Sequence, residues 1–175
     1  PPQIPLHDLW KETMSARKPD FLFLNGEFVA YADARIHALS TVFKYGAAVF
    51  EGIRAYFEEK QTGQLFIFRL KEHLDRLEQS CKISRIPLPF SAEELEKSLL
   101  DLIHRNRLRE DLHIRIVVYV GEDDGKLDSM SDIGVMMAAM PMGRYDPLSA
   151  DEGLRTCVSS WRRISDESMP PRVKA

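Results

Sequence analysis

The chain has 175 residues, a formal net charge of −3 at pH 7, 44% hydrophobic residues and 29% charged residues. This is the ordinary mixture of a globular protein with a buried core, and the slightly negative charge argues against a protein that binds nucleic acid or a membrane surface. No apolar run approaches the roughly 20 residues of a membrane-spanning helix, and the first residues lack the apolar core of a signal peptide.

The first part of the chain predicts an N-terminal extension, a hairpin and a short helix. Residues 1–20 combine a proline-rich lead-in with an amphipathic helix over 6–17. Two apolar runs then flank Asn25-Gly26, the dipeptide that favours a type I′ turn between antiparallel strands. The run from Thr41 is predicted to be helical up to Gly46.

The stretch 49–57 alternates with the two-residue period of a strand. One of its faces carries Phe50, Gly52, Arg54 and Tyr56. That set is unusual for a core, because a glycine weakens a strand unless a ligand or another backbone must approach it closely. Residues 60–63 supply a turn and 64–69 supply the return strand. The next predicted element is a helix with one apolar face, formed by Leu70, Leu74, Leu77 and Cys81.

Arg69 is predicted to stand where the return strand meets this helix. A guanidinium and the free backbone N–H groups of a helix N-terminus can converge there on an anion such as phosphate. The alternative interpretation is an ordinary arginine at a strand end, paired with a surface carboxylate.

A second helix and two further strands follow. Ser91 and Glu94 form a capping box for a helix that ends near Asn106. Residues 112–120 form a strand with one wholly apolar face and an opposite face that carries His113 and Arg115. Those two side chains indicate either a binding surface or, equally well, a solvated sheet face or a structural ion pair. Residues 133–140 predict another strand. The acidic segment between the two strands contains Asp123, Asp124 and Asp128 but lacks calcium-loop spacing, so no metal site is expected there.

The rest of the chain indicates a change of domain. Residues 141–150 predict a linker, and strand-like alternation resumes over 153–161. The predicted division is an extension at 1–20, a small α/β domain at 21–140, the linker at 141–150, and the start of a second domain at 151–175. The chain begins without Met and stops directly after a lysine, so we expect a fragment. Its two widely separated cysteines predict reduced thiols and a cytoplasmic protein.

Several motifs, in this order, resemble the class IV, or fold-type IV, pyridoxal-phosphate-dependent aminotransferases, with branched-chain amino-acid aminotransferases as the nearest members. The motifs are YGAAVFEGIRAY at 45–56, FR at 68–69, HLDRL at 73–77, SWRR at 160–163 and PPRVKA at 170–175. The resemblance extends from about residue 21 to the end. It implies an α/β (α+β) fold in which a small N-terminal domain of sheet and helices precedes a β-rich cofactor domain.

The resemblance also implies an activity, namely pyridoxal 5′-phosphate-dependent ping-pong transfer of amino groups from branched-chain L-amino acids to 2-oxoglutarate. It implies a homodimer or higher homo-oligomer whose pockets draw residues from both subunits, without nucleic-acid or membrane partners. The alternatives are another enzyme of the class (a D-amino-acid or amine transaminase, or aminodeoxychorismate lyase) or a non-catalytic binding or assembly domain of the same fold.

Individual residues take roles from the same resemblance. Lys174 matches the catalytic lysine that binds pyridoxal phosphate covalently, and Arg69 matches the arginine that binds the cofactor phosphate. The substrate pocket is implied at Tyr45, Phe50, Gly52, Arg54, His113 and Arg115. At the positions of residues 113–115, typical branched-chain enzymes have Tyr-x-Arg. Arg115 therefore matches the pattern, and His113 departs from it.

Overall fold

A computed structural model describes residues 18–122, 132–142 and 156–175. The strands are β1 (Phe21–Leu24), β2 (Glu27–Ala30), β3 (Ala48–Glu58), β4 (Gln64–Ile67), β5 (Leu112–Val120) and β6 (Ile133–Pro141). The helices are α1 (Thr41–Tyr45), α2 (Leu70–Ser84) and α3 (Ala92–Arg105). The strands form one six-stranded sheet in the order β2-β1-β6-β5-β3-β4, and every pairing is antiparallel.

The two longer helices cover one face of the sheet. Because successive side chains of a strand point to opposite faces, β3 and β5 each send every second residue toward these helices. The core therefore takes Val49 and Ile53 from β3, together with Leu77 from α2 and Leu99 from α3, all with no exposed surface. The face of β3 with the unusual residue set points the other way, and we call this second side of the sheet the open face.

The Asn25-Gly26 hairpin forms as predicted. The two residues have φ values of 53° and 98°, and Leu24 pairs with Glu27 across the turn. Asn25 also attaches the hairpin to β6, because its N–H donates to the carbonyl of Val135 (2.9 Å) and its Oδ1 accepts the Val135 N–H (2.9 Å). The turn dipeptide thus contributes to long-range pairing as well as to the local turn.

The helix ends follow their sequence signals with one shift. Gly46 ends α1 in a left-handed conformation, and Ser91 and Glu94 form the predicted capping box at the start of α3. The strand β4, however, ends at Ile67, two residues before the predicted end of the return strand. Arg69 is instead the residue before α2 and has a left-handed backbone with φ of 50°, because the chain must turn sharply there to enter the helix.

The prediction of a strand over 153–161 is wrong for the residues that the structure describes. Residues 156–175 contain only turns, bends and irregular backbone, and the side chains of Val158 and Trp161 are almost fully exposed. Alternating side chains produce a strand only when another strand pairs with its backbone, and none in the described ranges does so. At the other boundary, Pro141 belongs to β6 rather than to a linker.

Some predictions lie outside the described residues. They are the helix over 6–17, the acidic positions Asp123, Asp124 and Asp128, and the linker from residue 143 onward. Within the described ranges, no helix has the length and apolar character that a membrane crossing requires.

Candidate functional site

The backbone of Lys174 is attached to the edge of β3. Only the C-terminal part of β3 pairs with β4, so the edge beside Phe50 is open to another segment of the chain. The Phe50 N–H donates to the carbonyl of Lys174 (2.8 Å), and the Lys174 N–H donates to Ser80 Oγ on α2 (3.3 Å). The preceding residue, Val173, is 8% exposed and packs into the core. Lys174 is therefore held between the sheet and a helix.

The side chain of Lys174 borders a cavity of about 870 Å³ between α2 and the last residues of the described chain. Its amine lies 5.3 Å from the centre of the Phe50 ring, which also lines the cavity. The charged residues of the lining are Arg76, Arg163, Arg172, Lys174 and Asp75. Arg76 is paired with the carboxylate of Glu51, but Arg163, Arg172 and Lys174 still outnumber the one carboxylate of the lining, so the cavity suits an anionic molecule.

A second group of cations lies on the open face. The register of β3 against β5 places Gly52 opposite Arg115, and Arg54 opposite His113. The Arg115 guanidinium lies 5.4 Å from the centre of the Phe50 ring, so this ring is in contact with both Arg115 and Lys174. Phe50 therefore connects the open face to the cavity.

His113 is held tightly within this group. The residue is 8% exposed, and its Nδ1 is buried with no hydrogen-bond partner among the described residues. A Cβ added at Gly52 would lie 3.3 Å from His113 Nε2, so the glycine leaves room for the imidazole. Burial lowers the pKa of His113, and the charges of Arg115, Arg54 and Lys174 lower it further. His113 is therefore buried rather than solvated, and it has no ion pair within the described residues.

Arg54 has a structural contact within the same group. Its Nη2 donates to the backbone carbonyl of Met142 at 2.8 Å, and its guanidinium lies 5.7 Å from the centre of the Tyr56 ring. The arginine thus links β3 to the end of β6 while its charge faces His113.

Arg69 and Tyr45 lie apart from the cavity lining. The Arg69 side chain pairs with Glu72 on the first turn of α2 (2.8 Å), and both side chains are more than half exposed. This is the surface pairing named as the alternative for Arg69, although no side chain caps the N-terminus of α2. Tyr45 is 77% exposed at the end of α1, beside Lys44. The structure thus groups Phe50, Gly52, Arg54, His113 and Arg115 with Lys174.

Sequence reasoning missed a buried ionic cluster next to this site. Glu51 has no exposed surface and accepts hydrogen bonds from Arg76 Nε (2.5 Å) and Arg76 Nη2 (2.6 Å). His73 Nδ1 lies 2.8 Å from the second carboxylate oxygen. Burial alone would raise the pKa of Glu51, but hydrogen bonds and charges from Arg76 and His73 outweigh burial and lower it. A carboxylate on the apolar face of a strand was the available signal.

Comparison with known proteins gives a consistent result. The family model "Amino-transferase class IV" matches residues 48–175. The branched-chain-amino-acid aminotransferase of Salmonella typhimurium is 37% identical over 165 residues, which are 93% of this chain and 52% of that protein. The chain spans about half the length of the curated relatives it matches.

Solved structures agree with this comparison. The branched-chain amino acid aminotransferase of Escherichia coli superposes with a TM-score of 0.83 at 35% identity, covering 90% of this chain and 51% of that one. The T.th. branched-chain amino acid aminotransferase, solved in complex with N-(5′-phosphopyridoxyl)-L-glutamate, gives a TM-score of 0.79 at 34% identity, with coverage of 90% and 50%.

Proposed function

The chain belongs to the class IV aminotransferases. From this premise we propose that the protein transfers amino groups from branched-chain L-amino acids to 2-oxoglutarate, in a ping-pong reaction that depends on pyridoxal phosphate. The observation that carries the proposal is the position of Lys174, whose backbone is fixed by Phe50 and Ser80 and whose amine borders a cationic cavity. The relatives described above bear the branched-chain name, so the D-amino-acid or amine transaminase, the lyase and the non-catalytic alternatives are not favoured.

The residues present fit pyridoxal phosphate by their chemistry. The cofactor carries an aldehyde, which a lysine amine binds covalently, and a phosphate, which suits a guanidinium beside free N–H groups at a helix N-terminus. We assign these roles to Lys174 and to Arg69 at the start of α2. Arg69 would exchange its pairing with Glu72 for the phosphate, and an ion pair this exposed to solvent contributes little to stability.

The protein's own residues then have three tasks. Lys174 moves the proton at the α-carbon of the substrate, as a positioned amine can do. The Phe50 ring forms an apolar wall beside it that suits a small branched side chain, and Gly52 shapes the pocket by leaving room for the His113 imidazole. Arg115, with Arg54 and His113 around it, holds the substrate carboxylate. When bound, pyridoxal phosphate supplies an electron-withdrawing ring that stabilises negative charge at the α-carbon.

The proposal includes an assembly and a location. The exposed aromatic side chains of Phe43 and Tyr45 on α1, at 78% and 77% exposure, support a homodimer in which this helix meets a second subunit. Tyr45 would then contribute to the pocket of that subunit. Both cysteines are free, Cys81 in the core and Cys157 on the surface, which supports a cytoplasmic location.

Borohydride reduction followed by peptide mapping tests the cofactor assignment. We expect a pyridoxyl adduct on Lys174 after the protein is incubated with pyridoxal phosphate and reduced, and no adduct in Lys174→Ala. Lys97→Ala is the matched control, because Lys97 is 80% exposed on α3 and should leave the adduct in place. Wild-type protein without an adduct, or with one spread over several surface lysines, would contradict the assignment.

A substrate comparison tests the specificity. With 2-oxoglutarate as acceptor, amino transfer from L-leucine, L-valine and L-isoleucine should exceed transfer from D-alanine by at least about tenfold, a difference of about 1.4 kcal/mol in transition-state stabilisation. Faster transfer from D-alanine would contradict the branched-chain assignment while leaving the cofactor assignment standing.

A further inference from the structure

His113 is a buried imidazole, 8% exposed, and one of its two ring nitrogens has no hydrogen-bond partner among the described residues. Its Nδ1 is buried and makes no hydrogen bond to any described residue. Buried polar atoms in native proteins are nearly always paired, and an unpaired one calls for an explanation such as a functional role or a bound molecule.

In the part of the chain that the structure describes, the charged groups that act on the ring are all positive. Arg115 lies two residues further along β5 on the same face, Arg54 is the cross-strand neighbour on β3, and Lys174 acts from the terminal segment. On β6 the neighbour is Met140, which carries no charge. Burial and these three cations keep the pKa of His113 below its ordinary value of 6.5, so the ring is neutral at pH 7 in the free protein.

We propose that His113 takes up one proton from solvent when a carboxylate binds beside Arg115, so that substrate binding and protonation of this ring are coupled. The inference rests on the proposed function in one respect, the arrival of a carboxylate at the open face. No covalent bond forms, and the ring need not touch the ligand. The negative charge offsets the repulsion from the cations, and it acts strongly because the ring is shielded from water.

The coupling has a defined consequence for affinity. Because linkage is reciprocal, protonation of His113 strengthens carboxylate binding by the same factor by which the carboxylate strengthens protonation. Affinity should therefore rise as the pH falls, by up to about tenfold per pH unit between the pKa of the ring in the free protein and its pKa in the complex. Above both values, affinity should not depend on this group.

The test is calorimetry with 4-methylvalerate, a branched carboxylate that has no amino group to transfer. Titrations at pH 7 in two buffers with different ionisation enthalpies measure the protons taken up on binding. We expect uptake of up to about one proton per bound carboxylate in the wild-type protein, and none in His113→Gln. His104→Gln is the matched control, because His104 is exposed on α3 and its replacement should leave the uptake unchanged.

Nitrogen-edited NMR of the histidine rings provides a measurement on the unmodified protein. The ring signals of His113 should move from the neutral toward the protonated pattern when 4-methylvalerate is added, which keeps the inference testable even if His113→Gln fails to fold. Binding without proton uptake, or uptake that persists in His113→Gln, overturns the inference and leaves the proposed function in place. Absence of binding also overturns it, whereas the adduct on Lys174 reports separately on the proposed function.

Discussion

Replacement of Arg76 by methionine tests how α2 is attached to β3. Arg76 is 46% exposed, whereas the carboxylate of Glu51 that it binds has no exposure. In Arg76→Met the buried carboxylate keeps, among the described residues, only His73 as a side-chain partner. Removing one member of a buried ion pair costs about 3–5 kcal/mol because it leaves an uncompensated charge, and we expect about 3 kcal/mol because the missing side chain admits some water.

The reverse replacement should cost less. In Glu51→Gln the remaining charge is on Arg76, which already contacts water and can be hydrated fully. The loss is then that of hydrogen bonds to a charged group, about 1.5–3 kcal/mol, and we expect the lower end of that range. The double variant contains no buried charge, so adding Glu51→Gln to Arg76→Met should restore at least about 1 kcal/mol of stability.

Urea unfolding at pH 7, followed by circular dichroism, measures these free energies by linear extrapolation. Lys97→Met is the matched control, because it also removes the cation of an ion pair, but of one on the surface. Lys97, 80% exposed, pairs with Asp101 at 3.2 Å. It should change the free energy of unfolding by no more than about 0.5 kcal/mol. The reasoning is refuted if Glu51→Gln costs more than Arg76→Met, or if the double variant is less stable than Arg76→Met alone.

Three further predictions concern acid stability, close packing and thiol reactivity. Because the pKa of Glu51 is held below its ordinary 4.5, its stabilising contribution should be complete above about pH 4.5 and lost as the pH falls through the lower folded-state value. Urea midpoints measured from about pH 6 to pH 3 should therefore show the stability of Glu51→Gln converging on that of the wild type. Gly134→Ala would place a Cβ against the ring of Tyr119 and should lower the free energy of unfolding in urea by about 1–3 kcal/mol, with a smaller loss when Tyr119→Ala is already present. A thiol reagent at about pH 8 should modify Cys157 and spare Cys81 until the protein unfolds. The reason is that burial, with a smaller effect of Glu78, raises the pKa of the Cys81 thiol to about 11. Peptide mapping that finds equal labelling of the two cysteines would contradict this.

The sequence predicted the features that depend on a few neighbouring residues. The Asn25-Gly26 turn and the capping box at Ser91 form as expected, since each is satisfied by groups within three or four positions. The two faces of β3 are also as predicted, because alternation along a strand is a local property. The predictions that the return strand runs to residue 69 and that a strand covers 153–161 were wrong. Whether β4 continues, and whether residues 156–161 form a strand, depends on a hydrogen-bonding partner supplied by a distant strand.

The candidate site divides in the same way. The motifs around Phe50 and Lys174 indicated which residues to consider, but not that the carbonyl of Lys174 would accept the N–H of Phe50. A histidine in an alternating strand can face water, form an ion pair or be buried, and the residues packed around it in the tertiary structure decide which of these environments it has. Arg69 shows the opposite case, because its side chain pairs with a residue three positions away.

By itself, the sequence determined the hairpin, the capped helix, the faces of the strands and the family motifs, because each depends on residue order over short distances. Only the tertiary structure decided that Glu51 is buried against Arg76, 25 positions later, and that Lys174 meets Ser80, 94 positions earlier. It also decided that His113 is shielded from water among positive charges. Burial and electrostatic fields are properties of the whole packed chain, and local patterns do not contain them.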